Sequence, residues 1–292
     1  MKNPSLLSEE HARSLLKQWC KSAFEKTPYL APKPEVVHRI NHDLWSVYVY
    51  GDTAKVVYNK VGYNPAYDSG KKRNFVSTAP LSDGAKEERF ANSISRSKSR
   101  IFELASCNEF KYFCTFTQDE TKRDRFDLKE FRKDFGQFVR NLNRNRSDEN
   151  RIQYLLIPEQ HKNGAWHMHG LLKGLNDSDL REFKLSERIP NRIKKTIREG
   201  KKVYDWSRYR RSFGYFTCTE IENTEAVSKY ITKYISKDLQ KTVHESGEHL
   251  FFASQGLKGR EVVLKNCTEP CFVDEWDFEN EYCKVKYFKL TH

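Results

Sequence analysis

Residues 152–172 have the sequence IQYLLIPEQHKNGAWHMHGLL, in which two apolar runs flank a polar turn. The first run, Ile152–Ile157, is typical of a β-strand, and Asn163-Gly164 is a turn dipeptide. The second run, Ala165–Leu172, has the alternating pattern of a return strand. The sequence therefore predicts an antiparallel hairpin.

Two histidines alternate on the return strand. Side chains two residues apart on a strand point to one face, so His167 and His169 present their imidazoles side by side. A two-residue turn would place Gln160 opposite His167, whereas a three-residue turn with Gly164 in the left-handed conformation would place Glu159 there. The second register is favoured, because glycine adopts that conformation without strain and a carboxylate completes a His/His/carboxylate metal site.

A second motif occupies residues 228–237, SKYITKYISK. Apolar residues at four-residue spacing predict a helix here, with Asn223 or Thr224 as its N-cap. On that helix Tyr230 and Tyr234 lie one turn apart, and each is followed three residues later by a lysine, Lys233 or Lys237. A neighbouring cation favours the phenolate form of a tyrosine, which makes it a better nucleophile, and the lysines could also neutralise a phosphate.

Basic residues outnumber acidic ones, 52 to 40, which gives a net charge of +12. Such a balance favours a phosphate-rich partner. Residues 191–211 concentrate the charge and interleave it with aromatic rings, a combination that suits single-stranded DNA, although a solvated surface with aromatic anchors has the same composition. The residues predicted to bind DNA are Lys194, Lys195, Lys201, Lys202, Tyr204, Trp206, Arg208, Arg210 and Arg211.

The motifs together resemble those of the HUH endonuclease superfamily, and specifically the rolling-circle replication initiators (Rep) of small phages and plasmids. Phe113–Thr117 resembles the first family motif, Glu159–His169 the second and Tyr230–Lys237 the third, in the family's order. The doubled Tyr-x-x-Lys is similar to that of the two-tyrosine initiators. Residues 251–258 also resemble a segment that follows the tyrosine helix in such proteins.

The resemblance implies a role for each motif. It makes Glu159, His167 and His169 ligands of Mg²⁺ or Mn²⁺, and Tyr230 and Tyr234 nucleophiles. Spacing alone would suit Zn²⁺ as well. The implied reaction nicks single-stranded DNA at a replication origin, forms a 5′-phosphotyrosine and a free 3′-OH, and later rejoins the strand.

Partners follow from the same resemblance. A host polymerase would extend the 3′-OH, and a host helicase would unwind the template, since the sequence has no G-x-x-x-x-G-K-[ST] motif. No apolar run approaches a membrane span, no secretion signal is evident and seven cysteines lack paired spacing, so the expected location is the cytoplasm of a bacterial host.

Two other classes of function remain open. A related HUH relaxase or single-strand transposase would share the metal and tyrosine chemistry. A noncatalytic module that binds single-stranded nucleic acid would explain the charge and the aromatic residues, but it has no use for Glu159, His167 and His169 together.

The predicted fold class is α+β. The order of elements, and the family, imply a central antiparallel sheet of about five strands, distantly like an RNA-recognition fold, with helices on one face and metal and DNA on the other. The predicted regions are residues 1–90, an accessory region with a helix and short strands; 91–265, the endonuclease domain; and 266–292, an acidic C-terminal tail. Within them we expect strands at 45–50, 55–58, 111–117 and 215–220, and helices at 9–26, 89–105 and 127–145.

Overall fold

The structure, a computed structural model, describes residues 7–8, 44–60, 83–222, 250–267, 273, 275–280 and 283–291. These residues form four α-helices and thirteen β-strands in two largely antiparallel sheets, which confirms the predicted α+β class. The chain divides into two compact units, Leu81–Lys258 and the combination of Met1–Pro80 with Gly259–His292.

The larger unit is built on a seven-stranded antiparallel sheet with the order β10-β5-β6-β4-β9-β8-β7. Its central strands are the predicted ones: β4 (Tyr112–Thr117), β5 (Gln153–Gln160), β6 (Trp166–Lys173) and β9 (Phe216–Glu220). The sheet exceeds the expected five strands because the basic segment and its approach add two short edge strands. The remaining strands are β7 (Leu180–Glu182), β8 (Tyr204–Trp206) and β10 (Phe252–Ala253).

Four helices accompany this sheet: α1 (Asp83–Ser106), α2 (Leu128–Asn143), α3 (Asn191–Arg198) and α4 (Ser207–Ser212). The start of α2 is the predicted one. The Asp127 carboxylate accepts a hydrogen bond from the Glu130 backbone N–H at 2.9 Å, which satisfies one of the unpaired donors of the first turn.

The main core lies between α2 and one face of the sheet. Phe131, Phe135 and Val139 of α2 are buried there, as the apolar spacing predicts. Phe116 of β4 meets Phe135 edge-on at 5.0 Å between ring centroids, which is a favoured aromatic geometry. The strand residues that alternate onto this face are Tyr112, Cys114, Phe116, Leu156, Met168, Leu172, Phe216 and Cys218.

Helix α1 packs against the opposite face, so the helices do not all lie on one side of the sheet as expected. Ile94 and Ile101 of α1 cluster with Leu155, Ile157 and Leu171 of the hairpin. These hairpin positions are apolar on both faces, and an apolar patch on the second face needs a cover as much as the first. The site residues continue from this patch along the same strands.

The smaller unit has its own sheet, with strands from both ends of the chain. Its order is β1-β13-β3-β2-β11, with β12 paired to β13. Trp45, Val47, Val56 and Leu264 form its core. The strands are β1 (Leu7–Ser8), β2 (Leu44–Tyr50), β3 (Thr53–Asn59), β11 (Glu261–Cys267), β12 (Phe278–Glu279) and β13 (Cys283–Thr291).

The division of the chain therefore differs from the regions drawn from the sequence. Strand β11, which the sequence analysis assigns to the endonuclease domain, pairs with β2 of the accessory region. The segment treated as an acidic tail supplies β13, which pairs with β3 over its whole length. The acidic residues obscured the alternation Val285, Tyr287, Lys289 on which this strand depends.

The predicted N-terminal helix at 9–26 and the tyrosine helix lie outside the described residues. Of the helices that the structure does describe, none combines the length and the hydropathy needed to cross a membrane.

Candidate active site

The hairpin has the register that the sequence favours. Glu159 lies directly opposite His167, and Gly164 has a φ of +86°, in the left-handed region. The turn is closed by the His161 N–H, which donates to the Ala165 carbonyl at 2.8 Å, and by the Gly164 N–H, which donates to the His161 carbonyl at 2.8 Å. The three-residue turn is thereby confirmed, and it places Glu159 on the histidine face.

Two threonines of β4 hold the two imidazoles. The register of β4 and β6 sets Thr115 opposite His169 and Thr117 opposite His167. Each threonine Oγ1 is hydrogen-bonded to the facing Nδ1, at 3.0 Å for His169 and 2.9 Å for His167. The rings are nearly parallel, at 10°, with centroids 6.5 Å apart. Because Nδ1 is occupied in both rings, Nε2 is the nitrogen left for chemistry.

Glu159 bonds to the histidine diagonal to it. Its Oε2 lies 2.6 Å from His169 Nε2, and this hydrogen bond is the main cause that holds the pKa of Glu159 below its usual range. A neutral His169 ring then carries its proton on Nε2 and accepts from the Thr115 hydroxyl at Nδ1. Release of that proton would free both the carboxylate and Nε2 to act as ligands.

This arrangement bears on metal binding in two ways. Within the described part of the chain, no three His, Cys, Asp or Glu side chains already surround a common metal position, since Glu159 and His169 are bonded to each other. The donor set nevertheless suits a divalent ion, because two imidazoles and a carboxylate share one face and both imidazoles have fixed outer partners.

A third imidazole stands beside the pair. The ring centroid of His161 is 3.8 Å from that of His167. Burial lowers the pKa of His167 to about 4, and the neighbouring His161 and His169 contribute to the same shift. At neutral pH His167 is therefore uncharged, with one ring nitrogen carrying a lone pair.

The sequence analysis gave no role to Thr115, Thr117 or His161. The threonines had a readable signal, because two hydroxyl residues alternate on a strand that the motif order places near the histidine strand. His161 had none, since its position depends on how the turn closes.

A cleft of about 670 Å³ opens over the histidines. Glu159, His161, His167 and His169 form its floor with the threonines of β4, and the chain from Arg181 to Ile193 forms a wall. Of the predicted DNA-binding residues, all of which are described, only Arg210 lines this cleft.

The other predicted basic residues lie on the surface away from the cleft. Lys195 of α3 is 80% exposed, with Glu199 3.9 Å away. Arg208 lies 3.9 Å from Asp179, in an exposed pair that contributes little to stability. Lys201, Lys202 and Arg211 are exposed and Lys194 is half-buried.

The predicted stacking of Trp206 on a DNA base is wrong, because its ring is fully buried. Trp206 packs against Phe138 at 5.3 Å between centroids, as part of the main core. The segment around it forms strand β8, whose alternation turns this ring inward. Tyr204 is half-buried and meets Tyr112 edge-on at 6.2 Å.

Tyr230, Tyr234, Lys233 and Lys237 lie outside the described residues, so their position relative to the cleft stays a prediction.

Comparison with known proteins gives one match. A family model of replication-associated proteins of the ORF2 type matches residues 111–239, from the start of β4 through the histidine hairpin and the tyrosine motif. No curated protein matches the chain, and neither does any solved structure. The family match, which covers the strands that carry the site, supports a replication-initiator protein of the Rep type.

Proposed function

We propose that this protein is a rolling-circle replication initiator that nicks single-stranded origin DNA through a tyrosine and later rejoins the strand. The observation that carries the proposal is the cluster of Glu159, His167 and His169 on one face of the sheet, with a threonine hydroxyl on Nδ1 of each imidazole. A binding surface alone has no need of imidazoles with fixed ring orientations and a shared carboxylate.

Glu159, His167 and His169 would hold the metal, for which Mg²⁺ or Mn²⁺ is the proposed ion. When bound, such an ion polarises a nonbridging oxygen of the phosphodiester and neutralises the charge that develops on it. Thr115 and Thr117 would then accept from an Nδ1–H of each ring, which leaves the Nε2 lone pair of each imidazole to the ion.

Tyr230 and Tyr234 are the proposed nucleophiles. The phenolate oxygen of one tyrosine attacks phosphorus, the bond from phosphorus to O3′ breaks, and O3′ takes up a proton. The products are a 5′-phosphotyrosine and a free 3′-OH, and the phosphodiester energy is retained for rejoining. Lys233 and Lys237 would favour the phenolate form by their charge.

The second tyrosine gives the reaction its second half. After one round of synthesis from the 3′-OH by a host polymerase, with unwinding by a host helicase, it would cleave the regenerated origin. The released 3′-OH then attacks the first phosphotyrosine and closes a circle. We propose that this takes place in the cytoplasm of a bacterial host.

A trapping experiment tests the proposal. The protein is incubated with Mn²⁺ and a suicide oligonucleotide from the replicon's own origin strand, and covalent adducts are resolved on a denaturing gel and mapped by mass spectrometry. We expect an adduct on Tyr230 or Tyr234, and none for the variant in which both are changed to Phe. Tyr154→Phe is the matched control, because Tyr154 packs against Phe135 on the opposite face of the sheet and its change should leave the adduct intact.

The histidines are tested in the same assay. A variant with His167→Ala and His169→Ala should bind the oligonucleotide and form no adduct. An undiminished adduct from this variant, or an adduct that survives the double Phe change, contradicts the mechanism. Tight binding without an adduct in the unmodified protein, at any divalent ion tried, indicates the noncatalytic binding module instead.

A further inference from the structure

The wall of the histidine cleft carries four arginines, Arg181, Arg188, Arg192 and Arg210. Two of them are engaged by carboxylates. Arg181 pairs with Glu187 at 2.7 Å, and the Arg210 Nε donates to Asp205 at 2.6 Å. Asp205 is only 1% exposed, which fixes the guanidinium of Arg210 in place.

The other two arginines are available to an anion. Arg188 and Arg192 are exposed, and neither has a carboxylate within ion-pair distance among the described residues. They flank the short segment Ile189–Asn191 and line the same cleft as the histidines. Two unpaired guanidinium groups beside a phosphodiester site are suited to a further phosphate of the same strand.

An exposed aromatic ring completes this wall. Tyr215 is 57% exposed although it precedes a buried strand, and it lines the cleft with His167. The Arg210 guanidinium carbon lies 5.6 Å from its ring centroid and 5.8 Å from that of Phe183. The ring of Tyr215 therefore borders a cation that is itself held by a buried carboxylate.

The backbone under Tyr215 is fixed even though its ring is exposed. Its carbonyl accepts from the Thr117 N–H at 2.9 Å, and Thr117 is the residue that bonds His167. The preceding Gly214 has a φ of +145° and approaches the Asp119 backbone so closely that an added Cβ would lie 2.4 Å from the Asp119 nitrogen. An exposed flat ring on a fixed backbone has little entropy to lose on stacking.

We propose that Tyr215, with Arg188 and Arg192, forms a nucleotide-binding subsite for the single-stranded DNA that enters the cleft. The Tyr215 ring stacks on one unpaired base, and the two arginines bind the phosphate next to it. The inference rests on the proposed function, since it takes the strand over the histidines to be DNA. It replaces Trp206 as the stacking residue.

The test separates base stacking from charge. Affinity is measured by fluorescence anisotropy in EDTA, where no cleavage occurs, for labelled oligo(dT) of about eight nucleotides and for an abasic oligomer of the same length. Tyr215→Ala should weaken binding of oligo(dT) by about 5- to 150-fold, the range for loss of one stacked base. The abasic oligomer should be bound by this variant within about twofold of the unmodified protein, since it offers no base to stack.

Three further variants sharpen the result. Tyr215→Phe keeps a flat ring and should bind both probes like the unmodified protein, whereas Tyr215→Leu keeps the bulk without the ring and should behave like the alanine variant. A variant with Arg188→Ala and Arg192→Ala should weaken both probes by the same factor, because phosphate contacts do not depend on a base. Phe278→Ala is the control, since Phe278 is exposed to a similar extent, 52%, in the other unit.

Equal loss for oligo(dT) and the abasic oligomer on Tyr215→Ala overturns the subsite, as does no loss for either. Because these measurements need no metal and no adduct, the two proposals fail separately. Base-dependent loss in a protein that forms no adduct keeps the subsite and removes the nicking function. An adduct together with base-independent binding does the reverse.

Discussion

Thr117→Val removes the hydroxyl that fixes His167 while keeping the shape of the residue. The 2.9 Å bond from Thr117 Oγ1 is the contact that the structure gives to Nδ1 of His167. Without it the ring can rotate, and its Nε2 is no longer held toward Glu159. Loss of an outer partner of a metal-binding histidine typically costs about 10- to 100-fold in metal affinity or activity, or about 1.4–2.7 kcal/mol.

Folding should be affected much less. Valine is β-branched, and the neighbours of Thr117 in β4 already face the core on alternate positions. The lost hydrogen bond is partly replaced by solvent at a half-buried position, so the free energy of unfolding should fall by about 1 kcal/mol or less. A loss in activity larger than the loss in stability is the signature of a positioning role.

The assay follows the single-turnover nicking rate of a labelled origin oligonucleotide as the Mn²⁺ concentration is varied, with a urea unfolding curve for each variant. Thr117→Val should shift half-saturation by Mn²⁺ upward or lower the maximal rate by about 10- to 100-fold, and Thr117→Ser should restore most of either. Thr219→Val is the control, because Thr219 faces Phe113 at the far end of β4. Unchanged metal dependence in Thr117→Val, or an equal loss in Thr219→Val, would refute the role assigned to the hydroxyl.

Three other outcomes are expected. Alanine at all four lysines of the basic segment should weaken binding to every single-stranded sequence alike and flatten its dependence on salt, as measured by anisotropy titrations at several salt concentrations; these lysines are Lys194, Lys195, Lys201 and Lys202. Gly170→Ala should destabilise the fold by about 3 kcal/mol or more, since an added Cβ would lie 2.0 Å from the Leu155 carbonyl oxygen, and soluble protein with an unchanged urea midpoint would contradict this close approach. Asp127→Ala should cost about 1 kcal/mol through loss of the N-cap bond to Glu130, with Asp127→Asn close to the unmodified protein in the same unfolding curves.

Local patterns predicted the central hairpin well. The Asn-Gly turn, the alternation around His167 and the need for a left-handed Gly164 are all short-range features, and together they set the register that places Glu159 opposite His167. The cap at Asp127 and the buried face of α2 follow from spacing within one helix in the same way.

The features that were missed depend on contacts distant in sequence. Trp206 and Tyr215 are nine residues apart in one aromatic, basic stretch. One is buried and the other is exposed, because the edge strand β8 turns the first inward and Gly214 carries the second to the rim of the cleft. Composition gives both the same prediction. The pairing of β13 with β3 was missed for a related reason, since the two strands are separated by the whole of the larger unit.

That last pairing has a consequence for the order in which the protein can fold during synthesis. Strands β2 and β3 leave the ribosome early, but a two-stranded hairpin is marginally stable in water by itself. Their partners β11 and β13 emerge only after Leu81–Lys258 has been made. A prefolded larger unit would shorten the loop that β3 and β13 must close, and with it the entropic barrier. The nascent chain therefore carries a complete set of strands for the histidine face before the smaller sheet can form, and Trp45 and Val47 wait longest for cover.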